Sequence, residues 1–266
     1  MKLKPVTDKD SIRLGDSHAT WPDLDMSEDE LEHAAAKEME RIGDAEKLLY
    51  ADGNHALLIV LQGRDAAGKD GTIRKVFSAV NPQGCMVSSF KVPTELERRH
   101  DFLWRVHQVV PPKGMIGIFN RSHYEDILVP RVHGLVPKKV WSARYDQIND
   151  FERMLSENGV TILKFMLHVS RDEQKKRLEE RLTDKTKNWK FNAGDLDERK
   201  RWDDYTKAYR GILANTSTKW APWYIVPADD KDVRDLLVSR TIADALEGLD
   251  LRYPKADPSI VGLTVE

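Results

Sequence analysis

One stretch of the sequence combines glycines and a lysine at a spacing that suits phosphate binding: Gly63-Arg64-Asp65-Ala66-Ala67-Gly68-Lys69-Asp70-Gly71. In the pattern G-x-x-x-x-G-K, the backbone curls until successive N–H groups point at one phosphate, and the lysine reaches the outer phosphates. A plain tight turn can carry the same letters. The position of the segment favours phosphate, because it follows an apolar run and opens an amphipathic stretch. We predict phosphate contacts from Gly63, Ala66, Ala67, Gly68, Lys69, Asp70 and Gly71.

Two aspartates make this loop unusual. Asp70 stands where Ser or Thr usually ligates Mg²⁺, and Asp65 lies inside the loop, where a carboxylate repels a polyanion unless a cation lies between them. One interpretation is that both side chains are solvated or cap the following helix. The other is that Asp65 holds Mg²⁺ or Mn²⁺, since such cations are bound by one or two carboxylates plus phosphate oxygens. We favour the metal site for Asp65, and for Asp70 less so.

A second polar group follows another apolar run: Phe119-Asn120-Arg121-Ser122-His123-Tyr124-Glu125-Asp126. Strand ends of a parallel sheet face its binding crevice, which would bring Asn120 and Arg121 into the site. Alternatively, Arg121 forms a surface ion pair with Glu125, four residues later. We expect His123 to be a packed or capping residue rather than a catalyst.

A charged helical stretch, 172–182, places Gln174, Arg177 and Arg181 along one stripe. The stripe is either a solvated face bonded to neighbouring carboxylates or a set of arginines that neutralises a transferred phosphoryl group. On the residues alone, the two interpretations are equal.

Cations and aromatics are combined in Lys187-Asn188-Trp189-Lys190-Phe191. Exposed aromatic side chains are costly unless they dock, and a purine offers a stacking face, but anchoring of the segment to the body explains them equally well. Further cations could line a channel for a long polyanion, although a solvated charged face is the default for each: Arg74, Lys75, Arg199, Lys200 and Arg201.

The elements that position these residues follow from hydrophobic patterning. An unbroken apolar run at 56–61 predicts a strand that is buried on both faces, and further strands are predicted at 86–90, 115–119, 161–169 and 223–226. Helices are predicted between them: from the capping box of Ser27 and Glu30 to Asp52, through 73–80, as one helix through 96–106, and over 141–155, 171–182 and 231–249. This alternation predicts a three-layer α/β sandwich with a five-stranded parallel sheet.

Composition excludes several classes of protein. With 42 Lys and Arg against 44 Asp and Glu, the net charge of −2 argues against a nucleic-acid partner. The single cysteine, Cys85, excludes an internal disulfide and a Cys-rich zinc site and favours a reducing compartment. No stretch approaches the roughly 18 apolar residues that a membrane span needs. We therefore expect a cytoplasmic protein without a membrane partner.

Three long motifs resemble the polyphosphate kinase 2 family: LQGRDAAGKDGTIRKVF, FNRSHYEDILVPRV and WKFNAGDLDERKRWDDY. They occur in the family's order, and the resemblance runs from about Leu49 to Pro254. It implies a P-loop kinase-like fold, Mg²⁺, inorganic polyphosphate as phosphoryl donor, AMP, ADP or ATP as nucleotides, and a homo-dimer or homo-tetramer. Much of the family carries Asp where this chain has Asn120, and the form FNRSHYED resembles the subgroup that phosphorylates both nucleoside mono- and diphosphates.

The resemblance also implies roles for single residues. Catalysis is expected of Asp65, Lys69, Asn120, Arg121 and Arg181, and metal binding of Asp65 and Asn120. For the stripe at 172–182 it favours neutralisation of the phosphoryl group, chiefly by Arg181. Phosphate binding is also predicted for Arg177 and, with the solvated face as the default for each residue taken singly, for Arg74, Lys75, Arg199 and Lys200. Nucleotide binding is expected of Glu125, Asp126, Lys187, Trp189 and Lys190.

We therefore predict a polyphosphate-dependent nucleotide phosphotransferase that acts on AMP and ADP. An ATP-dependent nucleoside monophosphate kinase is the alternative, although it would normally have Ser or Thr at position 70, and a non-catalytic binder of polyphosphate or nucleotide is the third hypothesis. The domain predictions are an N-terminal arm at 1–26 that lies on the body or on a neighbouring subunit, a P-loop phosphotransferase domain at 27–254, and a tail at 255–266. A helical lid is expected at about 183–200, because this charged segment has few aliphatic residues.

Overall fold

The chain folds around a parallel β-sheet, in a computed structural model that describes residues 1–22, 25–260 and 262–265. The strands of these residues are β1 (Ala56–Gly63), β2 (Cys85–Ser89), β3 (Ile116–Asn120), β4 (Val160–His168) and β5 (Trp223–Pro227). Their order in the sheet is β2-β3-β1-β4-β5, and every neighbouring pair is parallel. The predicted five-stranded parallel sheet is confirmed, with each strand end within two residues of its predicted place.

Helices connect and flank the strands. Those of the described residues are α1 (Glu28–Asp52), α2 (Lys69–Val76), α3 (Glu95–Arg98), α4 (Trp104–His107), α5 (Glu125–Val132), α6 (Lys138–Glu157), α7 (Arg171–Thr183), α8 (Gly194–Lys200), α9 (Trp202–Thr216) and α10 (Lys231–Glu247). The predicted capping box of Ser27 and Glu30 is present at the start of α1, and Gly53 ends that helix in a left-handed conformation.

The sheet divides the apolar core into two layers. All residues of β1 are buried, and their side chains alternate between the two faces. Leu57, Ile59 and Leu61 pack with α1, α2 and α10 on one face. Leu58 and Val60 pack with α5, α6 and α9 on the other. The three-layer sandwich is therefore confirmed, and the central strands are held rigidly enough to position groups at their carboxyl ends.

Both chain ends can be placed relative to this body. In the N-terminal arm, the N–H of Val6 donates to the carbonyl of Trp223 at 2.8 Å, and Leu3, Val6 and Ile12 are buried. The arm thus lies along β5 of the same chain, although Asp23 and Leu24 are outside the described residues. The described residues of the tail after Lys255 are exposed, and Val261 and Glu266 are outside the description.

Two helix predictions need correction, and two helices were not predicted. The helix predicted through 96–106 is two short helices, α3 and α4, because Asp101 bonds the N–H of Leu103 and starts a new turn between them. The helix predicted to reach residue 80 ends at Val76. Sequence patterning missed α5 and α9, and α5 contains Pro130, which argued against a helix there. None of the helices in the described ranges is long and apolar enough to cross a membrane.

Candidate active site

The glycine-rich loop joins β1 to α2 at the carboxyl edge of the sheet. Ala66 and Gly68 have positive φ angles of 62° and 107°, and the first helical residue of α2 is Lys69. The φ angle of Gly68 lies in a region that L side chains rarely adopt, which favours glycine there, and a Cβ atom would also lie 2.2 Å from Nη1 of Arg234. The loop forms one wall of a cavity of about 530 Å³.

All five predicted catalytic residues line this cavity, which we call the loop cavity. Predicted site residues among its lining are Asp65, Ala66, Gly68, Lys69, Asp70, Gly71, Asn120, Arg121, Arg181, Trp189 and Lys190. The register of the sheet explains this, because Leu61 at the end of β1 pairs with Asn120 at the end of β3. Sequence analysis missed Lys91 and Asp195, which also line the cavity.

Lys69 is a buried cation held over the loop. Its Nζ atom donates to the carbonyls of Gly63 at 2.7 Å and Arg64 at 3.1 Å. Burial lowers the pKa of Lys69, and the nearby charge of Arg121 acts in the same direction. Oxygens of a bound phosphate would relieve this cost, so the ammonium is preorganised for an anion.

Two polar contacts cross from the loop to the end of β3. Arg121 donates from Nη2 to Oδ1 of Asp65 at 2.7 Å, and Asn120 donates from Nδ2 to Oδ1 of Asp70 at 2.6 Å. Glu125, the alternative partner predicted for Arg121, acts on it only through longer-range electrostatics. Burial works to lower the pKa of Arg121, but the negative charges of Glu125 and Asp65 outweigh burial, so the pKa of Arg121 is raised. Arg121 has a positive φ of 59°, a strained conformation that aims its side chain toward the loop.

Three side chains at this junction carry oxygens of the chemical type that binds a hard cation. Asp65 and Asp70 carry carboxylate oxygens, and Asn120 carries an amide oxygen. The NH₂ group of Asn120 donates to Asp70, so the amide oxygen of Asn120 is the atom that could ligate a metal. Within the described residues, no group of three or more His, Cys, Asp or Glu side chains is arranged so that it could hold a metal ion by itself. This set is typical of Mg²⁺ that takes its remaining ligands from phosphate and water.

The predicted lid covers the loop cavity from the side of α7. Arg181 near the end of α7 pairs with Asp195 of α8 at 3.3 Å. Trp189 is 78% exposed, and its indole N–H donates to the carbonyl of Thr186. Lys187 pairs with Glu180 and Asp184 instead of lining the cavity.

A second cavity of about 350 Å³ adjoins the first, and we call it the aromatic cavity. Trp202, Tyr205 and Tyr209 of α9 line it, together with the carboxylates of Glu125 and Glu198. Burial raises the pKa of Glu125. The two cavities share four residues: Asp65, Arg121, Asn192 and Asp195.

The structure does not bring every predicted residue to the cavities. Asp126 bonds Arg105 at 3.0 Å, and Lys75 pairs with Glu32 on the exposed surface of α2, where Arg74 also lies. Lys200 is exposed and pairs with Asp197. Arg199 lines the aromatic cavity, whereas Arg177 is buried behind the phosphate loop.

Another residue that sequence analysis missed is Arg64. Its guanidinium lies 3.9 Å from the centroid of the Trp202 ring and lines the aromatic cavity. Its Nε and Nη1 atoms are buried without a hydrogen-bond partner in the described structure. The sequence shows only that Arg64 lies inside the glycine-rich loop, and this position does not predict a contact with α9.

A parallel sheet with a phosphate loop between its central strand and a helix, polar residues at the adjacent strand end and a lid arginine define a P-loop kinase-like phosphotransferase. The model of the polyphosphate kinase 2 family matches residues 25–254. The chain belongs to this family.

Known relatives agree with this assignment. An AMP/ADP-polyphosphate phosphotransferase of Meiothermus ruber is 54% identical over 226 residues, which are 85% of this chain and 85% of that protein. An ADP-polyphosphate phosphotransferase of Rhodopseudomonas palustris is 49% identical over 234 residues, 84% and 81% of the two chains. The crystal structure of polyphosphate kinase 2 from Arthrobacter aurescens TC1 superposes with a TM-score of 0.88 at 41% identity, covering 96% of this chain and 95% of that one.

Proposed function

We propose that this enzyme transfers the terminal phosphoryl group of inorganic polyphosphate to AMP and to ADP, reversibly and with Mg²⁺ or Mn²⁺. The observation that carries the proposal is the junction of two unlike cavities at Asp65 and Arg121. The names of the relatives support the same donor and acceptors.

The loop cavity suits the donor. Cations predominate in its lining: Lys69, Lys91, Arg121, Arg181 and Lys190 face the carboxylates of Asp65, Asp70 and Asp195. A chain of phosphates carries negative charge along its whole length, so a site for it needs several cations and an open end. We assign the phosphate loop to the terminal phosphoryl group and Lys91 and Lys190 to the following phosphates.

The aromatic cavity suits the acceptor nucleoside. The half-buried ring of Tyr205 offers a stacking face to a base, and such stacking is worth about 1–3 kcal/mol and demands little positional accuracy. Trp202 and Tyr209 are buried, and Arg64 covers the Trp202 ring, so these two residues form the back of the cavity. Glu125 and Glu198 can accept hydrogen bonds from ribose hydroxyls or from an amino group. The acceptor phosphate would then point at Arg121, which lies on the boundary of both cavities.

Transfer in this site needs positioning and charge neutralisation and no covalent enzyme intermediate. An acceptor phosphate oxygen attacks the terminal phosphorus in line, while the bond to the bridging oxygen of the shortened polyphosphate breaks. Lys69, Arg121 and Arg181 surround the transferred group and stabilise its equatorial oxygens. Asp65 and Asn120 would hold Mg²⁺, which supplies further neutralisation of phosphate oxygens.

Assembly and location are also part of the proposal. The family resemblance supports a homo-oligomer, a dimer or a tetramer. The lone Cys85 and the nucleotide substrates support a cytoplasmic enzyme. The balanced net charge of −2 supports the absence of a nucleic-acid partner.

A coupled assay of ATP formation tests the donor. Purified enzyme is incubated with ADP and Mg²⁺, with long-chain polyphosphate or with no donor, and ATP is followed by luminescence. We expect ATP only with polyphosphate. A parallel reaction with ATP and AMP decides the alternative: phosphorylation of AMP by ATP, with no polyphosphate-dependent product, would make the protein an ordinary monophosphate kinase.

A further inference from the structure

Side chains of α7 hold the back of the phosphate loop. Three successive loop carbonyls accept hydrogen bonds from two residues of this helix that lie one turn apart. Gln174 donates from Nε2 to the carbonyl of Asp65 at 2.9 Å. Arg177 donates from Nη1 to the carbonyls of Ala66 at 3.1 Å and Ala67 at 3.2 Å. The contacts therefore fix three consecutive peptide planes.

Fixing these carbonyls also fixes where the loop N–H groups point. In a trans peptide, the N–H points away from the carbonyl of the preceding residue. Carbonyls of Asp65 and Ala67 that face α7 thus turn the N–H groups of Ala66 and Gly68 away from α7, and both residues line the loop cavity. The N–H of Ala67 closes the turn by donating to Arg64. Ala66 has a positive φ of 62°, a conformation that persists only when its surroundings hold it.

Gln174 makes a second contact, with the lid. Its Oε1 atom accepts from Nη1 of Arg199 in α8 at 2.8 Å. The side chain is only 3% exposed, and both ends of its amide are engaged. One buried amide therefore bridges the phosphate loop and the helix of the lid.

Arg177 is anchored independently of the lid. Its Nη2 atom donates to the carbonyls of Ala228 and Asp229, each at 2.7 Å, and its Nε atom donates to Glu173. Arg177 thus serves as a fixed frame beneath the loop. Gln174 is the member of the pair whose partners include a residue of the predicted lid, Arg199.

We propose that Gln174 is a positioning residue that couples the lid to the phosphate loop. When α8 is seated, Arg199 holds the amide of Gln174, and the amide in turn holds the peptide of Asp65 so that the loop N–H groups converge on the terminal phosphoryl group. When α8 leaves, Gln174 loses one anchor and the loop relaxes. The catalytic part of this proposal rests on the proposed function, whereas the structural part does not.

Gln174→Met tests the structural part, because methionine has a similar length and helix propensity but makes neither hydrogen bond. Lys175→Met is the matched control, since Lys175 is exposed on the same helix. Amide hydrogen exchange of residues 65–70 is measured in the free enzyme. We expect exchange at least about fivefold faster in Gln174→Met than in the control, because local opening of the loop becomes easier.

Steady-state kinetics test the catalytic part. We expect kcat of Gln174→Met to fall at least about tenfold, since small misplacements of positioning groups are costly, while the KM for AMP changes less than about threefold. Arg199→Met removes the lid end of the bridge. If both residues act through one contact, the double variant loses no more than about twofold beyond Gln174→Met.

The proposal holds only if exchange and kcat both change as stated. Exchange equal to that of the control, or a kcat within twofold of the wild-type value, would overturn it, and multiplicative losses in the double variant would overturn the coupling to the lid. If the wild-type enzyme does not phosphorylate AMP or ADP with polyphosphate as donor, the proposed function fails. Hydrogen exchange alone then decides whether Gln174 holds the loop.

Discussion

Asp65 and Arg121 form an ion pair of 2.7 Å between the phosphate loop and the end of β3. The pair joins the expected metal ligand to the expected phosphoryl-stabilising cation, at the boundary of the two cavities. Each charge neutralises the other in the free enzyme. The pair thus avoids two unpaired, partly buried charges in the free site. When a metal–polyphosphate complex binds, the carboxylate of Asp65 would bind the metal and the guanidinium of Arg121 would bind phosphate.

Lys69→Ala and Asp65→Asn should each lower kcat at least about a hundredfold, because each removes charge that acts on the transferred group or its metal. Both variants should keep a native circular-dichroism spectrum. Lys113→Ala, a change of the same type outside both cavities, serves as control. Near-normal turnover of a folded Lys69 or Asp65 variant would contradict the assignment of the site.

Cys85 should take no part in the reaction. Burial raises the pKa of its thiol to about 11, so almost no thiolate is present at neutral pH. In denaturant the thiol should have its ordinary pKa of about 8.5. Alkylation by iodoacetamide at pH 8 should therefore be at least about a hundredfold slower in the native protein than in denaturant. The rate should rise with pH up to about 11, and Cys85→Ser should keep wild-type kcat. Rapid alkylation accompanied by loss of activity would show that Cys85 serves the site.

A buried network behind β3 should dominate the stability of this region. Glu152 accepts from His123 at 3.1 Å and Tyr124 at 2.8 Å, and it pairs with Lys164, all of them fully buried. Burial acts to raise the pKa of Glu152, but Lys164 and His123 hold it below its ordinary value.

Lys164→Met leaves this carboxylate without its cation and should cost about 3–5 kcal/mol of unfolding free energy in urea titrations. Arg153→Met on the same helix as Glu152 breaks an exposed pair with Asp150 and should cost at most about 1 kcal/mol. Equal losses in the two variants would show that the buried pair has no special weight.

Sequence patterning predicted the sheet well because its signal is strong. The run at 56–61 in β1 is unbroken and most positions of β4 are apolar, which is typical of strands covered on both faces. It also placed Asn120 and Arg121 at the crevice end of a strand, whereas the adjacency of β3 and β1, which brings that end beside the loop, came from the structure. The sequence did not predict that Arg177 bonds the back of the phosphate loop, because a helical stripe shows which side chains share a face but not which residues that face contacts. The contact of Arg64 with α9 was missed for the same reason, together with α9 itself.

The segment 183–200 is seated over the loop cavity in the structure and should open transiently in the free enzyme, since its side chains are largely exposed and it has few aliphatic anchors. Lys185 and Lys190 are exposed and offer trypsin sites within it. We expect trypsin to cut there first, and at least about tenfold more slowly when AMP and a non-hydrolysable polyphosphate analogue are bound together. Cleavage at the same rate with and without these ligands would contradict a lid.

The enzyme should use both AMP and ADP as acceptors and make ATP from AMP when polyphosphate is in excess. The two acceptors place the base one phosphate apart while the donor and metal stay fixed. A half-buried ring such as Tyr205 tolerates such sliding, because stacking is worth only about 1–3 kcal/mol and has weak positional demands. Purified protein is incubated with AMP, Mg²⁺ and long-chain polyphosphate, with adenylate kinase blocked by a specific inhibitor, and nucleotides are followed by chromatography. ADP should appear first and ATP afterwards. If ADP accumulates and ATP never forms, the aromatic cavity holds the base at one depth only, and the enzyme is a strict monophosphate kinase.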